Sequence, residues 1–217
     1  MLTELVSQRL GSHVALSAWR FGVHPSTLSL ANLVVGTGTS AAVAVLAKPV
    51  ATGTVPGWAL GVAALVLWHA AYSLDCADGQ LARLTGRTSG AGARLDVLAD
   101  AAVGISLAAA LAATASHHGP PVPSWTVAVL AGGWMVNVIT SVLQSGDMAV
   151  SLVPSTSPVV RLLKLPRDHA AVVTVCAVTV GFGPGSVRWV IAFFAGFNCL
   201  FLAASIAAAG RRSLAGQ

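Results

Sequence analysis

Charge is scarce in this sequence. Of its 217 residues only 9% are Asp, Glu, Lys or Arg, against 55% hydrophobic. A water-soluble domain carries about a quarter charged residues, so this chain cannot clothe a water-facing surface of ordinary composition. Cysteine is scarce too. Cys76, Cys176 and Cys199 stand apart in apolar sequence, with no C-x-x-C pair and no zinc spacing. That excludes a disulfide framework and a structural zinc site. The net charge of +5 comes without a basic cluster interleaved with aromatics, which argues against nucleic acid as a partner. The N-terminus lacks the early basic region and continuous apolar core of a cleavable signal.

Long apolar runs are abundant. Six segments, 28–47, 58–83, 91–115, 124–144, 168–183 and 187–209, are apolar enough to be read as membrane spans. The last two are joined at Gly181-Phe182-Gly183-Pro184-Gly185, which predicts a tight hairpin. Ahead of them, Leu2, Leu5, Val6 and Leu10 recur at helical spacing opposite Glu4, Gln8 and Arg9. This pattern predicts an amphipathic helix on the membrane surface. The expected fold is all-α: a single membrane domain over 1–217, with an interfacial helix at 1–22 and a bundle of six transmembrane helices at 28–209. Trp19, Trp58, Trp125 and Trp189 lie near span ends, where interface anchors belong. With the N-terminus in the cytoplasm, Arg9, Arg20, Arg83, Arg87, Arg94, Arg161, Lys164, Arg167, Arg211 and Arg212 fall on the cytoplasmic side. Only Lys48 and Arg188 fall outside. The positive-inside rule therefore puts both termini in the cytoplasm.

The acidic residues break the apolar pattern. The chain has seven, and four of them, Asp75, Asp78, Asp96 and Asp100, lie in or beside predicted spans two and three. A carboxylate at membrane depth costs at least about 2.5–3.5 kcal/mol, so four need cations and a function. Asp75 and Asp78 are three apart, and Asp96 and Asp100 four apart, so each pair shares a helix face. The short link at 84–91 predicts that spans two and three are antiparallel neighbours whose acidic faces meet. Asp75 comes seventeen residues after Trp58, about 25 Å along a helix, which sets the cluster just inside the cytoplasmic interface. Ligation by oxygen alone favours Mg2+, Mn2+ or Ca2+ over zinc. Four carboxylates suit two cations about 3.5–4 Å apart, the arrangement that clamps a transferring phosphoryl group. The plainer alternative pairs these carboxylates with Arg83, Arg87 and Arg94.

The run DCADGQLARLTGRTSGAGARLDVLAD, residues 75–100, resembles the signature of the CDP-alcohol phosphotransferase family: D-x-x-D-G-x-x-A-R, eight residues, then G-x-x-x-D-x-x-x-D. Asp75, Asp78, Gly79, Ala82, Arg83, Gly92, Asp96 and Asp100 fill its fixed positions. HPSTLSLAN at 24–32 is a looser match to that family's entry into span one. The resemblance implies that the four aspartates hold two divalent cations, Mg2+ first and Mn2+ second, and that Asp100 is also the general base on the acceptor hydroxyl. It implies CDP binding by Asp75, Gly79, Ala82, Arg83 and Gly92, and a homodimer in the membrane. The implied reaction transfers a phospho-alcohol group from a CDP-linked donor, CDP-diacylglycerol by prevalence in the family, to a small polar alcohol, releasing CMP. Glycerol 3-phosphate, inositol phosphate and serine are the candidate acceptors. Ala101 stands where many glycerol-phosphate and inositol-phosphate enzymes carry Lys or Arg, and no F-G-x-x-P follows as in many phosphatidylserine synthases, so the acceptor stays open.

Arg94, Arg161, Lys164 and Arg167 are candidates for a phosphate on the acceptor, against a plain topological role for the last three. Asp168 is expected to cap span five, and His69 to make a polar contact inside the bundle. Three other functions are alternatives. The same chemistry could use a soluble CDP-alcohol donor. A UbiA-type prenyltransferase also binds magnesium diphosphate through aspartates, but through two similar motifs far apart in sequence. A cation- or proton-coupled transporter would place its carboxylates near the bilayer midplane.

Overall fold

The computed structural model describes residues 3, 7–143 and 168–215 of the chain. The elements among them are helices: α1 Ser7–Arg20, α2 Pro25–Ala51, α3 Gly57–Thr85, α4 Gly90–His117, α5 Ser124–Leu143, α6 His169–Phe182 and α7 Val187–Ala215, with a 3-10 turn at Pro184–Ser186. Each of the six expected spans coincides with one of α2–α7. By length and composition, α2, α3, α4 and the run Pro184–Arg211 can cross a membrane. Helices α5 and α6 are apolar but shorter. The 14 residues of α6 rise about 21 Å, less than the hydrocarbon core of about 30 Å.

The helices run alternately up and down, and their end contacts define two ends of the bundle. At one end, the start of α3 meets the end of α6: a Cβ at Gly57 would lie 2.9 Å from the Gly181 carbonyl oxygen. His118 and Gly119, after α4, approach Gly185 and Arg188 there. The expected hairpin is present, with Gly183 capping α6. At the other end, the backbone N–H of Thr3 donates to both oxygens of Asp168 (3.1 and 3.2 Å) and its hydroxyl donates to Oδ1 (2.6 Å). Asp168 also accepts from Ala171 N–H (3.2 Å), so it caps α6 as expected. Trp58, Trp125 and Trp189 are strongly exposed at the first end and Trp19 at the second, as two interfacial belts would be.

Helix α1 has one buried and one exposed face. Leu2, Glu4, Leu5 and Val6 lie outside the described residues, and Leu10 is exposed. The buried stripe is Ser7, Gly11, Ala15 and Ala18, small side chains that let α1 lie close along α3. A Cβ at Gly11 would come within 2.9 Å of the Cys76 Cβ. Leu10, Leu16 and Trp19 face outward on the other side of the helix.

The main core fills the half of the bundle away from the aspartates. It holds Leu60, Ala64 and Trp68 of α3, Leu107 and Leu111 of α4, Leu130 of α5, Val173 and Val180 of α6, and Ile191 of α7. Here α3 and α6 touch backbone to backbone: a Cβ on Gly61 would stand 2.5 Å from the Gly181 Cα. Small residues are what permit such approach between apolar helices. Replacing Gly61 by Ala is therefore expected to destabilise the bundle by about 1–3 kcal/mol. Gly38→Ala, on an open face of α2 where a Cβ meets nothing within 4 Å, is expected to be neutral or stabilising. Thermal unfolding of the two detergent-solubilised variants measures the contrast.

Candidate metal centre

The acidic pairs stand at the end of α3 and the start of α4. Helix α3 stops where Gly86 takes up a left-handed backbone (φ 66°). The N–H groups of Gly86 and Arg87 then turn back to the carbonyls of Arg83 and Ala82 (3.4 and 3.0 Å), a glycine-terminated helix end. Three residues later Ser89 opens α4, its Oγ accepting from the Gly92 N–H (3.0 Å). Both helix ends are thus written into the linker, and they set Asp75 and Asp78 opposite Asp96 and Asp100.

The two helices are nonetheless not packed neighbours, as the short link had suggested. They barely touch each other, and both pack extensively on α2. Helix α2 approaches α4 through Gly36, where a Cβ would come 2.8 Å from Val103 Cγ2. It approaches α3 through Ser29 and Asn32. The carboxylates therefore meet across a gap rather than within a helix–helix interface.

Across that gap, ligand oxygens of Asp75, Asp78 and Asp96 all lie within 4.8 Å of one another. The Asp75 side chain is also within hydrogen-bonding reach of Asp96 and Asp100. Asp78 is buried and the other three are half-buried. Among the described residues no Arg or Lys forms an ion pair with any of the four. Arg83, Arg87 and Arg94 are exposed, so the pairing alternative fails where it can be inspected. Close acidic oxygens without a cationic side chain are what a hard divalent cation requires of its ligands. The donor set fits one.

The remaining signature residues surround this cluster. The Arg83 guanidinium lies across Gly79, where a Cβ would come 3.5 Å from its NH1. Ala82 is half-buried on the face of Asp75 and Asp78. At Gly92 a Cβ would stand 3.2 Å from Ser89 Oγ, so its bare backbone also serves the cap of α4. Arg161, Lys164 and Arg167 lie outside the described residues.

Ser29 and Asn32, which sequence reasoning did not assign to the site, touch it directly. The Ser29 hydroxyl donates to Asp78 Oδ2, and Asn32 Nδ2 donates to Asp75 Oδ1 (3.2 Å). The one signal was Asn32, an amide three residues after Ser29 in a helix whose other uncharged polar residues are serines and threonines. One turn deeper than Asp75, a layer of rings closes the site toward the core. Tyr72 packs on His169 at 4.3 Å between centroids with the rings tilted by 36°, and Trp134 meets His169 edge-on at 5.9 Å. Gly104, one turn below Asp100, leaves room for Trp134: a Cβ there would fall 2.6 Å from its Cδ1. His69 makes the polar contact expected of it, Nε2 to Thr174 Oγ1 at 2.9 Å.

No curated protein and no solved structure matches the chain. The family model for CDP-alcohol phosphatidyltransferases matches residues 22–196, a stretch that takes in the acidic pairs, the helix α2 that supports them and the layer of rings beneath. A match over that much of the chain, together with a carboxylate centre built between apolar helices, means that the protein belongs to the CDP-alcohol phosphatidyltransferase family.

Proposed function

We propose that the protein transfers a phosphatidyl group from CDP-diacylglycerol to the hydroxyl of a small polar alcohol, releasing CMP, with divalent metal bound by Asp75, Asp78, Asp96 and Asp100. Its family consists of transferases that move a phospho-alcohol group from a CDP-linked donor to a hydroxyl acceptor. The observation that carries the metal assignment is the meeting of acidic oxygens from α3 and α4, with no cationic side chain of the described residues paired to them. A soluble CDP-alcohol is the alternative donor.

In the reaction a bond forms between the acceptor oxygen and the β-phosphorus of the donor, and the bond from that phosphorus to CMP breaks. Two bound cations, Mg2+ or Mn2+, would supply positive charge against the diphosphate and the departing CMP. The chain's own part is positioning and proton transfer. Asp100 takes the proton from the acceptor hydroxyl. Arg83 offers a forked donor to the nucleotide phosphate. Gly79, Ala82 and Gly92 keep the helix faces shallow enough for the cytidine nucleotide. Arg94, Arg161, Lys164 and Arg167 hold a phosphate on the acceptor, and glycerol 3-phosphate, inositol phosphate and serine are the acceptors to test.

The centre is assigned to the cytoplasmic side of a cell membrane, in one domain with an interfacial α1, six crossings and both termini cytoplasmic. Support comes from Arg9, Arg20, Arg83, Arg87 and Arg94, which share the aspartate end of the bundle, while Lys48 and Arg188 belong to the other.

Purified protein with CDP-diacylglycerol and Mg2+ or Mn2+ is expected to release CMP when one of glycerol 3-phosphate, inositol, inositol 1-phosphate or serine is added. EDTA should abolish the release and re-added Mg2+ restore it. Release by a soluble CDP-alcohol alone would shift the donor class, and none with any CDP-linked donor would refute the transfer. Asp100→Asn is expected to lower kcat by about 10²–10⁴-fold, and Asp75→Asn to abolish turnover, while both proteins still insert into membrane. Full activity in either variant would overturn the site.

A further inference from the structure

Helix α2 carries a second set of residues that serve the centre. We propose that Ser29 and Asn32 are positioning residues, each fixing one aspartate of α3 so that its other oxygen is presented to the metal. The proposal rests on the metal-dependent function above and adds to it the residues that set its ligand geometry.

The strongest observation is how Ser29 bonds compared with its neighbours. A serine or threonine inside a helix ordinarily returns its hydroxyl to the carbonyl four residues back. In α2, Thr37, Thr39 and Ser40 all do so, to Leu33, Val35 and Gly36. Ser73, Thr85, Thr114 and Thr174 do the same in other helices. Ser29 has Pro25 at the same offset and instead donates across the interface to Asp78 Oδ2. Three residues on, Asn32 donates to Asp75 Oδ1 (3.2 Å). The i, i+3 spacing on α2 thus matches the i, i+3 spacing of Asp75 and Asp78 on α3.

Burial gives these bonds their weight. Ser29 is 4% exposed and Asn32 3%. A buried polar group in an apolar helix is costly unless bonded, and helix packing alone would be met by alanine or leucine. Both residues are donors toward acceptor-only carboxylates. Each bond engages one oxygen of its aspartate, Oδ2 of Asp78 and Oδ1 of Asp75. Because α2 also seats α4 at Gly36 and Val103, it holds both acidic pairs in one frame although α3 and α4 hardly touch. Partners of metal ligands commonly orient them and raise affinity in this way.

Mn2+ binding separates this from simple packing. The free Mn2+ signal in electron paramagnetic resonance would be titrated against detergent-solubilised wild type, Ser29→Ala, Asn32→Leu, Ser29→Thr and Asp75→Asn. Ser29→Ala and Asn32→Leu are expected to weaken Mn2+ binding by about 10–100-fold, and Ser29→Thr, which keeps the hydroxyl, far less. Wild-type thermal stability in metal-free buffer identifies the folded variants. If Asn32→Leu does not fold, Ser29→Ala against Ser29→Thr decides. Folded Ser29→Ala that binds Mn2+ as wild type does would overturn the proposal while leaving the centre intact. Wild type that binds no Mn2+, or Asp75→Asn that binds it unchanged, would remove the centre and this proposal together.

Discussion

Mutual repulsion among four carboxylates is the constraint to which the rest of the structure answers. Oxygens of Asp75, Asp78 and Asp96 lie within 4.8 Å of one another, and ionised carboxylates at about that distance repel by roughly 3 kcal/mol at an effective dielectric constant of about 20. No apolar packing between α3 and α4 offsets it, because those helices hardly meet. The pairs are held together from outside: by the glycine-terminated end of α3, by the serine cap of α4, and by a third helix to which both are bound. The same repulsion leaves the gap in which a substrate phosphate can be met.

The bundle divides its labour along its length. In the half away from the aspartates, α3 and α6 touch at Gly61 and Gly181, and leucine, valine and tryptophan fill the space between helices. That half is dense and apolar. The layer of Tyr72, His169 and Trp134 marks its limit. Beyond it polar bonds join the aspartates to α2, beside a smaller apolar cluster of Ala15, Ala18, Leu28, Ala77 and Leu81. The apolar packing of the dense half sets the directions of α3 and α4, at whose other ends the acidic side chains stand.

Much of this was legible in the residues. The six apolar runs became six helices, because a long apolar stretch in this composition has few other ways to satisfy its backbone. The aspartate spacing was legible because helical periodicity maps i, i+3 and i, i+4 directly onto one face. The place of α2 between the acidic helices was not. A short linker constrains the distance between helix ends, but the packing of their bodies depends on side-chain shape, here the approach of Gly36 to Val103. Ser29 and Asn32 were hidden for a similar reason: one serine among many gives no sign of whether its hydroxyl bonds within its own helix or across to another. In α1 the small residues Gly11, Ala15 and Ala18 make the protein-facing side, which the leucine pattern did not mark.

Thr3 and Asp168 are bonded across 165 positions of sequence. During synthesis the amino-terminal end emerges first, yet its partner on α6 follows only after α2 to α5 have been made. This bond can form only once α6 exists, and a single carboxylate then both caps α6 and holds Thr3.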